Sequence, residues 1–295
     1  MASFFSEIGR NRLKSILLMA VFSLFFMGII YLLVWYLGAG LLGLAIGAIL
    51  VAAYALLSYH FGSRFVLRMS GAKPADRKQY PFLFDTVEGL ASASQVPVPA
   101  IYVINDPSPN AFATGNSKRH ASIAVTTGLL QMMDKEELQG VVAHEMSHIG
   151  NNDIQFMLMA VVFAGVIGIA AAFLRGMFWF GGRGRNGGII ALVALAIGLL
   201  APLFAMLLRL AISRRREYMA DANGGRLTRD PKSLADALKK IKNYAVSPKT
   251  SPVAHANEMT ASLYFANPFK AQSLMNLFST HPPIDDRIAR LEKMY

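Results

Sequence analysis

Residues 16–38, ILLMAVFSLFFMGIIYLLVWYLG, contain no charged side chain. The run exceeds the roughly 20 residues that a helix needs to cross a bilayer core. It also exceeds the apolar stretch of about 7–15 residues found in a cleaved signal peptide. A second run, residues 41–59, follows at once, with Gly38 and Gly40 marking a tight turn. A retained hairpin of two transmembrane helices is therefore expected at the N-terminus. Residues 156–174 and 189–208 repeat the pattern, which makes four expected spans. The composition agrees: 54% of residues are apolar and only 16% are charged, a balance that belongs to a membrane protein.

The formal charge of +11 would suggest nucleic acid in a soluble protein. Here the basic residues flank the apolar runs, so they read as cytoplasmic anchors at a lipid surface, and no nucleic-acid partner is expected. Arg10, Arg12 and Lys14 precede the first span; Arg64, Arg68, Lys73, Arg77 and Lys78 follow the second. Both outer ends of the first hairpin then face the cytoplasm. Arg175, Arg183 and Arg185, between the third and fourth spans, run against this topology, but the polar stretches on either side are also basic and far longer. Trp179 and its Phe neighbours suit an interfacial belt. A buried second hairpin that never crosses is the other reading. No cysteine is present, which excludes disulfides, thiolate ligands and a cysteine nucleophile.

Four segments follow: a transmembrane hairpin over 1–61, a polar stretch over 62–153, a second hydrophobic hairpin over 154–213, and a polar, mainly helical stretch over 214–295. In the last, DPKSLADALKKIKNYA is amphipathic, with Pro231 suited to a first helical turn.

The chemistry sits in VVAHEMSHIGNND, residues 141–153. Asp134 is a plausible N-cap with Glu137 three residues on, a capping-box pattern. The stretch that follows has no proline and reads as a helix, which puts His144 and His148 one turn apart on one face. Both imidazoles can bind one zinc ion, and Glu145, slightly around the helix, can act as base on a metal-bound water. The bland alternative is an exposed helix with two solvated histidines. Apolar Val141, Val142, Ala143 and Ile149 speak against it, because buried imidazoles and carboxylates need partners. A catalytic zinc needs a third protein ligand. In RRREYMADANGG, Glu217 and Asp221 are again four residues apart. Glu217 is the expected third ligand, and Asp221 could accept the spare N–H of a zinc-bound histidine. An acidic face balancing Arg214 to Arg216 accounts for the same spacing. His60, His120 and His255 match no ligand spacing.

HEMSH on a helix, EYMAD far downstream and THPPIDDRIARL near the C-terminus together resemble the HtpX-type heat-shock membrane metalloproteases, distant relatives of the CaaX prenyl proteases. The resemblance covers nearly the whole chain. It implies a mainly α protein: four transmembrane helices plus a cytoplasmic zincin-like α+β catalytic domain with a small edge β-sheet. It assigns one zinc per chain to His144, His148 and Glu217, general-base catalysis to Glu145, and a supporting role to Asp221. It directs attention to His281 as an oxyanion donor and to Arg287 as a partner of Glu217. For His281 the alternative is a rigid helix start at Pro282 and Pro283. Residues 110–115 and 122–126, with alternating small and β-branched residues, read as short extended segments; the resemblance suggests a substrate-pairing role for them, with Asn110 and Ala111 near the scissile bond, and an ordinary hairpin is the plainer reading.

The implied activity is endoproteolysis of misfolded or unassembled membrane proteins and unfolded polypeptides, by a multi-pass protein of a bacterial inner membrane in contact with the lipid bilayer. A CaaX-type processing protease is the first alternative; four spans are too few to enclose its chamber. A membrane protein with structural zinc is the second. A transporter is the third, although the spans carry almost no ionisable residue.

Overall fold

A computed structural model describes residues 40–159, 214–247, 263–266 and 282–294, with single positions 20, 24, 27, 31 and 254. The expected span 16–38 lies outside them apart from those single positions. Residues 160–174, the span 189–208, His255 and His281 also lie outside. The span expected at 41–59 falls within helix α1, Gly40–Met69. Gly40, at φ 57°, starts it in a backbone region that favours glycine. Among the described residues α1 alone is long and apolar enough to cross a membrane, with a mean hydropathy of 2.4 over its most apolar window. Leu41, Leu42, Ile46, Ile49, Leu50, Leu56 and Leu57 are exposed along it. The helix continues ten residues past Tyr59, and at its far end Val66 and Leu67 are buried. It therefore runs into the polar portion of the chain without a linker.

The rest is mostly helical with one small mixed sheet. Strands β1 (Ala72–Pro74), β2 (Ala100–Ile104), β3 (Ala111–Gly115) and β4 (Ala121–Thr126) lie in the order β1-β2-β4-β3. β1 pairs antiparallel with β2, β2 parallel with β4, and β4 antiparallel with β3. In the β3–β4 register Ala111 faces Val125 and Gly115 faces Ala121. β3 is thus an edge strand. Both β3 and β4 are buried throughout, so neighbours cover the sheet.

Helices α2 (Pro81–Ser94), α3 (Thr127–Met132), α4 (Lys135–Gly150), α5 (Arg214–Thr228), α6 (Pro231–Val246) and α7 (Ile284–Leu291), with short 3-10 turns at Lys118–His120 and Glu292–Met294, complete the described elements. α4 is the centre: it packs on α5, α6, α2 and β3, and Val141, Val142, Ala143, Met146 and Ile149 are fully buried. Its start is fixed by a reciprocal cap. Glu137 N donates to Asp134 Oδ1 and Asp134 N to Glu137 Oε2, both at 2.9 Å, so two otherwise unpaired donors are satisfied. α6 starts with Pro231 in its first turn, and the Asp230 side chain accepts from Ser233 N. Gly224 sets the separation of α5 from α4: a Cβ there would lie 3.1 Å from the backbone nitrogen of His144.

Candidate metal centre

α4 and α5 cross where each presents its polar residues inward. His144, Glu145 and His148 on α4 and Glu217 and Asp221 on α5 are all buried. The Nε2 atoms of His144 and His148 are 3.2 Å apart. Glu217 Oε2 lies 3.7 Å from His144 Nε2, and Glu217 Oε1 lies 3.6 Å from His148 Nε2. These three residues bring one ligand atom each into a common cluster. Zinc bonds of about 2.0–2.2 Å in tetrahedral array put ligand atoms ~3.3–3.6 Å apart, so the observed spacing fits an ion of that size.

The outer partners aim the imidazoles. Asp221 Oδ1 lies 2.9 Å from His144 Nδ1, and Asp153 Oδ2 lies 3.1 Å from His148 Nδ1. Each carboxylate can accept a hydrogen bond from the Nδ1–H tautomer, in which Nε2 is left as the ligand atom on the side of Glu217. That is the tautomer a metal requires. Arg287, itself buried, binds Asp221 bidentately: Nε donates to Oδ2 at 2.9 Å and Nη2 to Oδ1 at 2.7 Å. Its Nη1 is 3.8 Å from Glu217 Oε2. Asp221 is therefore its main partner, where the resemblance implied Glu217.

Burial pushes the His144 imidazolium down to about 4, against the pull of the Asp221 hydrogen bond. His148 is also opposed by burial, but the Asp153 hydrogen bond and the Glu217 charge outweigh it and raise the group to about 9. The two histidines differ because Arg287 repels a proton from His144, whereas three carboxylates attract one to His148. Burial lifts the Glu145 carboxyl to about 7, only partly offset by the charge of His148. The backbone of Ala113 on β3 donates to that carboxylate. Asp221 is held well below the usual carboxylate range: burial would raise it, and the Arg287 charge and the His144 and Arg287 hydrogen bonds overcome that.

Six of the residues singled out by sequence thus meet in one buried cluster: His144, Glu145, His148, Glu217, Asp221 and Arg287. Asn110 and Ala111 lie at the start of β3 beside it, but their polar groups are taken by residues 265 and 266. Ala111 O accepts from Phe265 N at 2.7 Å, and Asn110 Nδ2 donates to Ala266 O at 2.9 Å. His281 lies outside the described residues. Sequence reasoning missed Asp153 and Phe265. Asp153 had a readable signal. Past the end of α4, Asn152 takes φ 58°, a conformation asparagine tolerates, and the chain turns back so that Asp153 meets His148. Phe265, whose ring meets the His144 ring edge-on at 4.9 Å, had none.

The sequence model of Peptidase family M48 matches residues 78–295. The chain is 44% identical over 292 residues to a protease HtpX homolog of Caldanaerobacter subterraneus subsp. tengcongensis, covering 96% of this chain and 95% of that protein. It is 40% identical over 300 residues to a protease HtpX homolog of Ligilactobacillus salivarius, covering 98% and 99%. Its fold is similar to the crystal structure of S. mikatae Ste24p, with a TM-score of 0.50 and 19% identity, over 97% of this chain and 66% of that one. Joined to the His-Glu cluster on α4 and α5, these matches mean that the chain belongs to Peptidase family M48 and is a metalloprotease.

Proposed function

We propose that the chain is a zinc-dependent endopeptidase embedded in a membrane, cutting misfolded or unassembled membrane proteins and unfolded polypeptides. The observation that carries the reading is the meeting of two Nε2 atoms and the Glu217 carboxylate at metal-ligand spacing beside a buried glutamate. His144, His148 and Glu217 are the zinc ligands. Three protein ligands leave the fourth position open, and a carboxylate among them suits a catalytic more than a closed structural site. When bound, zinc supplies Lewis acidity toward the peptide carbonyl and acidifies the attacking water.

The protein groups supply the proton traffic and the aim. Glu145, perched near neutrality by burial, takes the proton of the attacking water on its carboxylate and returns it to the departing amine. Asp221 and Asp153 hold the two imidazoles by their Nδ1 protons, and Arg287 fixes Asp221. His281 is the proposed oxyanion donor, and Asn110 and Ala111 the proposed main-chain contacts of the substrate.

Helix α1 and the uncharged apolar runs of the sequence support the membrane part of this reading, in which the chain makes four spans. The hairpin over 154–213 joins the HExxH helix to the helix of the third ligand, so both halves of the centre start within a few turns of apolar segments. Residues 1–61 form the first hairpin, and 62–153 with 214–295 make up the catalytic domain on the cytoplasmic face of a bacterial inner membrane. A protease so placed meets membrane proteins and their cytoplasmic loops. The test is hydrolysis of casein by the detergent-purified chain. Cleavage stopped by a chelator and restored by zinc is the expected result; zinc-replete protein that binds the ion and cuts nothing counts against the reading.

A further inference from the structure

Among the described residues β3 is an edge strand: β4 pairs one side of it, and the backbone of Ala113 donates to the Glu145 carboxylate of the metal centre. An extended polypeptide would bind there through main-chain hydrogen bonds. The outward groups at the start of that edge are already engaged by the chain itself. Phe265 N donates to Ala111 O at 2.7 Å. The Asn110 side chain brackets Ala266, donating from Nδ2 to its oxygen at 2.9 Å and accepting from its nitrogen at 3.2 Å. Arg287 Nη1 donates to Phe265 O at 2.9 Å.

These four bonds hold only the main chain of residues 265 and 266. Residues 263–266 do not form a strand, and three of the four bonds come from a side-chain amide and a guanidinium. Selectivity comes from the side chains. The Phe265 ring is buried edge-on against His144, with the Arg287 guanidinium 4.8 Å from its centroid. The Tyr264 ring meets Phe112 at 5.1 Å. Ala266 is small and buried.

We infer that residues 263–266 are a built-in substrate mimic, docked in the main-chain site beside the metal ligands. The site then takes a main chain with an aromatic side chain in the pocket of Phe265 and a small residue after it. This rests on the protease reading above. A substrate must displace the segment, so apparent affinity is reduced by the fraction of molecules in which the site is free.

The test uses the full-length chain and the capped peptide acetyl-Leu-Tyr-Phe-Ala-amide. The peptide competes with casein cleavage, and its Phe-to-Gly counterpart competes at least about tenfold less well. In zinc-loaded Glu145→Gln protein, saturating peptide speeds hydrogen exchange at the amides of Phe265 and Ala266. Phe265→Gly lowers KM for casein by about tenfold. If that variant does not fold, the exchange measurement decides alone. Amides that stay protected while the peptide inhibits identify the segment as a fixed wall and overturn the inference, as does a peptide that fails to compete. Wild-type protein that cuts no casein sinks the protease reading itself, a separate result.

Discussion

Glu145 shows how the centre trades stability for chemistry. Its folded pKa, about 7, is raised above the ordinary glutamate value of 4.5, chiefly by burial. A raised acid contributes its stability below the unfolded pKa and loses it as pH climbs from about 4.5 to about 7. Above that window the buried charge costs about 3 kcal/mol, at ~1.4 kcal/mol per pH unit. Metal-free Glu145→Gln should therefore melt several degrees above metal-free wild type at pH 8, and the gap should close by pH 5. A gap equal at both pH values contradicts the assignment. Asp153 acts differently, through the imidazole it holds. Asp153→Ala should weaken zinc binding about 10–100-fold, read by competition with a chelating dye, and Asp153→Asn by less, since an amide oxygen still accepts the Nδ1 proton. Unchanged affinity in the alanine variant would remove Asp153 from the site.

At the scale of elements, α4 and α5 carry the centre, and what brings them close enough is Gly224. A Cβ there would lie 3.1 Å from His144 N and 3.3 Å from its Cα. Intrinsic propensity favours alanine in a helix by about 1 kcal/mol, so a surface view predicts that Gly224→Ala stabilises. The clash is with backbone, which cannot turn aside, and overpacking costs about 1–3 kcal/mol. The variant should melt lower and bind zinc less tightly; a higher melting temperature with intact zinc binding would refute this. The capping box, the absence of proline and the four-residue histidine spacing made α4 legible from sequence, and Pro231 and the amphipathic pattern did the same for α6. The extended segments at 110–115 and 122–126 agree with β3 and β4. Less was readable where structure depends on distant partners. The parallel pairing of β2 with β4 joins residues some twenty positions apart, which no local pattern encodes. The pairing of Arg287 with Asp221 required α7 and α5 to be placed first. The backbone bonds of Phe265 to β3 carry no sequence signature, because main-chain atoms are common to all residues.

At the scale of the molecule, one helix carries exposed leucines and isoleucines along a membrane-length stretch and then enters the catalytic portion without a break. The lack of cysteine makes topology simple to probe. Single cysteines at Lys78 and Lys232 should react with an impermeant maleimide only from the cytoplasmic side, and one at Gly187 only from the opposite side. Labelling of all three from one side would mean that the second hairpin does not cross. That orientation is the one the proposed function requires. The central claim is that three residues hold the metal and a fourth moves the proton. It is tested most directly by Glu145→Gln beside wild type, with zinc content and casein turnover measured on the same preparations. Both proteins should carry one zinc per chain, and the variant should lose turnover by at least about a hundredfold. A variant that keeps its zinc and cuts casein at the wild-type rate would contradict it.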